Sequence, residues 1–228
     1  MRRICFGIAG GALGLIISQT ATADSGSSPT PLSALTAEWW QWALSIPTGQ
    51  NPQEDPTGQY CMIGQRGPIW FLAGVFGGGT ATRACSVPEG TTLFFPITNA
   101  INFNTPNVCG QSSENLTVKE MRASSKAAID GTADVGVQVN GKPANKLIQR
   151  VVSQVFEVTL PEENVFDSLC SGQGGVPAGV YSPAVDDGYY VILGPLKQGT
   201  DTVHFEAGPN GANEDVTYTL TVVPVLTK

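Results

Sequence analysis

Apolar positions in this chain keep a helical period at two places and a strand period almost everywhere else. Leu35, Trp39, Trp42 and Ile46 recur at i, i+4, i+7 and i+11, which is one face of a helix. Pro31 suits its first turn, Ser33 can cap it, and Pro47 stops it. Residues 47–67 are rich in Pro, Gly, Asn and Gln and read as a loop. Pro68–Phe76 and Thr92–Ile97 are short apolar runs bounded by glycine clusters and by Pro88-Glu89-Gly90, which predicts strands. Thr117-x-x-Glu120 has the form of a capping box and opens a second helix over 117–130. Val118, Met121, Ser125 and Ala128 share one face of it, and Gly131 supplies its stop.

Beyond Gly131 the period is two. Val135–Val139 leads into Asn140-Gly141, the strongest hairpin turn in the sequence, and Phe156, Val158 and Leu160 alternate with polar residues. Tyr189–Leu193 forms a strand. Val203 and Phe205, then Val216, Tyr218, Leu220 and Val222, alternate with Thr, His and Glu. Read as an antiparallel meander, these last three strands each carry one apolar face that must be covered. The expected fold is mainly β, a two-sheet β-sandwich of jelly-roll or immunoglobulin type carrying two helices and disulfide-bonded. It occupies residues 31–228 as a single domain.

The N-terminus has a separate logic. Arg2 and Arg3 precede an apolar run from Ile4 to Ile17, and Ala21-Thr22-Ala23 places small residues where a signal peptidase reads. The run is too short to span a bilayer about 30 Å thick. Residues 1–23 are therefore expected to be a signal peptide, 24–30 a flexible leader, and the mature protein secreted or periplasmic without a membrane span. Without Arg2 and Arg3, the 12 basic residues fall to 10 against 19 acidic ones, a net charge of −9. That balance excludes nucleic acid as a partner. Cys5 leaves with the signal peptide, and Cys61, Cys85, Cys109 and Cys170 remain. Three connectivities satisfy four cysteines. Cys61–Cys85 with Cys109–Cys170 is favoured, because the first brackets one strand-loop unit and the second ties two loops.

Several segments are distinctive together: W-W-x-W-x-x-S-I-P (Trp39–Pro47), N-P-x-x-D-x-T-G-x-x-C (Asn51–Cys61), G-P-I-W-F-L-A-G (Gly67–Gly74), R-x-C-x-V-P-x-G (Arg83–Gly90), L-F-F-P-I-x-N (Leu93–Asn99) and the later G-Y-Y-V-I-L-G-P-L. In these the chain resembles a family of uncharacterised exported microbial proteins. The resemblance implies one architecture and an extracytoplasmic life, and it assigns no catalytic residue.

Candidate chemistry is sparse. Trp39 and Trp42 lie on the apolar helix stripe and Trp70 within a strand, so these three read as core. Trp40 points about 100° away from Trp39 and is the expected ligand-facing ring, suited to a sugar face. Asp55, Gln65, Arg83 and Asn99 flank the first disulfide and the apolar strands and complete the candidate ligand set, with an Arg83–Asp55 ion pair expected to lock the loop. His204 falls on the polar face of its strand, and no G-x-S-x-G accompanies it. The meander would gather Asp186, Asp187, Asn210, Asn213, Glu214 and Asp215 at one rim. There Asp186, Asp187, Glu214 and Asp215 are the candidate ligands of a calcium ion, against the alternative of a solvated acidic edge. No other cofactor is expected. The leading expectation is a protein that binds an extracellular glycan. A polysaccharide hydrolase using a carboxylate pair and a structural protein contacting an envelope component are the rivals.

Overall fold

The computed structural model describes residues 30–170, 175–208 and 213–225. The segments expected as signal peptide (1–23) and leader (24–30, apart from Thr30), and Asn210, lie outside the described residues. Helix α1 spans Leu32–Ser45 and α2 Val118–Asp130. Ten strands follow in chain order: β1 Ile69–Phe71, β2 Gly79–Pro88, β3 Thr92–Phe103, β4 Ala133–Val139, β5 Lys142–Pro143, β6 Ile148–Val152, β7 Phe156–Leu160, β8 Gly179–Leu193, β9 Gly199–Gly208 and β10 Glu214–Val223. They form two mixed five-stranded sheets packed against each other. The first has the order β1-β3-β8-β6, with β7 also pairing to β8; the second runs β2-β10-β9-β4-β5. The β1–β3 and β2–β10 pairs are parallel.

The apolar run of β3 explains the layering. Leu93 to Ile97 are all buried, as expected of a strand covered on both faces. Phe94 stacks on Tyr190 on the α1 side, centroids 5.2 Å apart, while Phe95 meets Phe205 of the second sheet at 5.0 Å. One core therefore lies between α1 and the first sheet, the other between the two sheets. Three layers result: helix, sheet, sheet.

Local expectations hold in large part. Thr117 and Glu120 close the capping box at both ends, and the Thr117 hydroxyl holds the Glu120 carboxyl below its usual range. Asn140 and Gly141 both have positive φ, 52° and 70°, in the two-residue β4–β5 turn. In α2, however, Ile129 takes the buried position expected for Ala128. In α1, Pro31 is the N-cap residue and no side chain caps the helix, so Ser33 lies inside the first turn instead.

Two strand expectations are corrected. Pro68–Phe76 contributes only three strand residues. The C-terminal meander does not exist as one sheet: β9 and β10 pair, but β8 belongs to the other sheet, between β3 and β6. The connection after β8 crosses between the layers, held by the Leu196 amide donating to Thr91 O (2.8 Å) and the Gly90 amide donating to Leu196 O (2.9 Å). Gly194 begins it, and a Cβ there would stand 2.9 Å from the Thr92 Cα.

Disulfides join Cys61 to Cys85 and Cys109 to Cys170. They fit an oxidising extracellular or periplasmic setting. No helix among the described residues is long and apolar enough to cross a membrane. The bridges close loops of 24 and 61 residues. Loop-closure entropy then predicts losses of about 3 and about 4 kcal/mol when each is removed by a paired Cys→Ala substitution. Denaturant unfolding measures both, and the larger loss belongs to Cys109–Cys170.

Candidate functional site

A cavity of about 440 Å³ opens where α1, the first sheet and the start of β10 meet. Trp39 and Trp40 of α1 close its back, and Pro96 to Ile101 of β3 form one wall. Gly74 to Gly78, in the loop between β1 and β2, form another; Ile129 and Thr132 at the end of α2 and the Phe166–Leu169 segment complete the rim. Its polar lining comprises Gln53, Thr98, Asn99, Thr132 and Glu214, of which Gln53 and Glu214 are tied to the same loop.

Those two are placed by consecutive backbone amides. The Val75 amide donates to Glu214 Oε1 at 2.6 Å, and the next amide, Phe76, donates to the Gln53 carbonyl at 3.1 Å. Gly74 makes room: a Cβ there would lie 2.4 Å from Glu214 Oε1. Burial pushes the Glu214 carboxyl up to about 7, against the opposing pull of the Val75 amide and the Arg83 charge. Gln53 is only 3% exposed, and its Oε1 accepts no hydrogen bond. Three buried side-chain polar atoms lack a partner among the described residues, and of these only Gln53 Oε1 belongs to a residue on the cavity wall. Such an atom is the kind that needs an explanation.

The loops carrying these groups hang on Arg83. Its buried guanidinium donates from Nε to Asp55 O (2.6 Å), from Nη1 to Ala73 O and to the Tyr218 hydroxyl (2.7 Å), and from Nη2 to Gly74 O (3.1 Å). The expected Arg83–Asp55 ion pair is therefore replaced by a contact to the Asp55 backbone. The Asp55 carboxylate instead accepts the Thr57 and Tyr60 amides at 2.8 and 2.9 Å. Burial raises it, but these hydrogen bonds outweigh burial and hold it below its ordinary range. Gln65 likewise closes a loop, its Oε1 accepting from the Phe71 amide at 2.9 Å and its Nε2 donating to Cys61 O and Phe71 O. Asp55, Gln65 and Arg83 build the site's support and do not line the cavity.

Behind the cavity lies a second polar group. Asp186 is 1% exposed; its Oδ1 accepts from Trp40 Nε1 and its Oδ2 from the Tyr190 hydroxyl, each at 2.8 Å. The Tyr190 hydroxyl in turn accepts from Asn99 Nδ2 at 3.0 Å. Trp40 thus lines the cavity, as does Asn99, but it is 4% exposed and belongs to the core. The ring expected to face outward is pinned inward by its indole N–H. Burial pushes the Asp186 carboxyl up to about 8.

The expected acidic rim is dispersed. Asp186 serves Trp40, Asp187 pairs with Arg150 (2.9 Å) in the first sheet, Glu214 serves Val75, and Asp215 meets His204 (3.0 Å) on the outer face of the second. No group of three or more His, Cys, Asp or Glu suited to a metal occurs among the described residues. The reason is the sheet assignment of β8, which carries Asp186 and Asp187 away from β10.

Comparison with family models, with curated proteins and with solved structures finds no match to this chain.

The two raised carboxyls set the pH response of stability. Each binds a proton more tightly folded than unfolded, so stability falls as pH rises from the unfolded carboxylate range, about 4, through 7 and 8. The carboxylates held low titrate beneath this window. The melting temperature is therefore expected to drop between pH 5 and 8, and Asp186→Asn to flatten most of that slope. A melting temperature that rises over the interval contradicts the assignment.

Proposed function

We propose that this is an extracytoplasmic ligand-binding protein whose cavity receives the end of a glycan. The supporting observation is the unpartnered Oε1 of Gln53, which together with Glu214 lines a mainly apolar cavity. At about 440 Å³ the space suits one or two sugar units, within the range of small-molecule sites. Phe76 and Phe166, packed edge-to-face at 5.2 Å, give the wall an aromatic surface for the C–H face of a ring. Hydroxyl groups on the ring's edge would satisfy the acceptors of Gln53 and Glu214.

One observation favours a hydrolase as the second reading. Glu214, lifted to about 7, is poised as a general acid. A retaining or inverting glycosidase needs a second carboxylate across the bond. Asp186 does not fill that place, since it sits behind Trp40 with both oxygens engaged.

A glycan array followed by calorimetry on the mature protein tests the proposal. At least one saccharide is expected to bind, and Gln53→Leu to weaken it about tenfold, the effect of losing one buried hydrogen bond of roughly 1.4 kcal/mol. An array without hits removes the glycan reading. Release of new reducing ends, abolished by Glu214→Gln, would establish the hydrolase instead.

A further inference from the structure

Glu214 is the one ionisable side chain among the residues that line the cavity. Glu214 Oε1 is taken by the Val75 amide, and its second oxygen accepts nothing among the described residues. Gln53 Oε1 is unpartnered. Asn99, on the β3 wall, is tied through Nδ2 to the Tyr190 hydroxyl at 3.0 Å. The Trp40 indole, the nearest aromatic donor, is consumed by Asp186.

A hydroxyl carries no charge and would leave the Glu214 carboxylate uncompensated. An ammonium group offers three protons and no lone pair, and it compensates a carboxylate. We infer that the cavity recognises a primary ammonium group carried on an apolar or sugar-like body, seated against the unpartnered oxygen of Glu214. The inference rests on the cavity being the ligand site. It narrows the ligand to two sources of one chemistry: an amino sugar with a free amine, or an apolar primary amine.

The surroundings of Glu214 agree. Arg83 on β2 is the cation that acts on it, but four of its five N–H donors go to Asp55 O, Ala73 O, Gly74 O and Tyr218, and it forms no ion pair with the carboxylate among the described residues. Asp215, its neighbour on β10, opposes ionisation. Trp39 and Trp40 of α1 add no charge, and Asp186 behind them keeps its proton below about 8. A ligand cation is the missing partner that would favour the ionised form.

Calorimetric titration of the mature protein with four probes tests this: glucosamine disaccharide, its N-acetylated counterpart, 2-phenylethylamine and 2-phenylethanol. At least one amine is expected to bind at pH 7.5, with its neutral counterpart ten or more times weaker. Affinity for that amine should fall about tenfold on going to pH 5.5, where Glu214 is protonated. Glu214→Gln should remove both the preference and its pH dependence, and Gln53→Leu, which leaves the carboxylate in place, should weaken amines and keep the pH dependence. Binding of the amino sugar alone assigns the glycan source, and binding of phenylethylamine alone the apolar amine. Neutral counterparts binding as tightly as amines, with no pH dependence, overturn the ammonium while leaving the cavity a ligand site. No binding of any probe by wild type overturns the ammonium as well, and saccharide binding on the array then decides the broader reading by itself.

Discussion

A single buried guanidinium organises the loops that wall this molecule's cavity. Arg83 sits on β2 with its neighbours Ala81, Cys85 and Val87 pointing the same way into the core. An isolated charge there would be costly, several kcal/mol even after relaxation. It is tolerated because each of its three nitrogens meets an oxygen, and most of those oxygens belong to loop backbone. The loops at Asp55 and Ala73–Gly74 would otherwise present buried carbonyls with no donor. Cation and loops therefore solve one another's problem. The result is that Gln53, two residues before Asp55, and Val75, one after Gly74, are fixed against the start of β10.

From that anchor the cavity follows. Tyr218 of β10 is in register with Arg83, and four residues earlier on the same strand Glu214 occupies the same inward phase. The Gly74 backbone lies against its carboxyl. Across the cavity, the first sheet is filled from both sides, so β3 can present Phe94 to α1 and Phe95 to the second sheet without exposing either. The α1 tryptophans are packed as core, Trp39 and Trp40 edge-to-face at 4.9 Å. Each indole N–H finds an acceptor: Leu72 O, Asp186 and Ile63 O for Trp39, Trp40 and Trp42. The three-layer arrangement therefore makes the cavity's back wall rigid.

What could be read in the sequence was whatever had a local cause. The capping box, the Asn-Gly turn, the alternation of β9 and β10 and the tryptophan stripe each express a rule acting within a few residues. The disulfide pairing came from the placement of loops. The failures share a different cause. β2 escaped notice because Arg83 interrupts an otherwise apolar inward phase, and its partners lie 9 to 135 residues away in sequence. Trp40 was read outward from helical geometry, but α1 is covered on more than one face, and Asp186 at a separation of 146 residues supplies the acceptor. β8 was joined to β9 and β10 because consecutive strands usually neighbour one another; the crossing at Gly194–Leu196 sends it elsewhere. Glu214 did carry a signal. A carboxylate in phase with Val216, Tyr218 and Leu220 is a buried acid, and that phase marks it more clearly than any count of rim carboxylates.

The same phase argument separates a site from a flaw. A buried acceptor with no partner costs about 1–3 kcal/mol, and a carboxyl lifted to about 7 is held at a further cost in its ionised form. Neither Gln53 nor Glu214 is needed to fill the core, since apolar side chains of the same size would pack there without either penalty. The covalent framework sits where these costs fall. Cys85 follows Arg83 by two positions on the strand that anchors the loops, and Cys170 adjoins Leu169 on the opposite rim. The bridges stabilise the two walls between which the polar groups are left unsatisfied. That pairing of local reinforcement with local polar mismatch is what a preorganised binding site requires, because the walls must not collapse onto the groups a ligand is meant to meet.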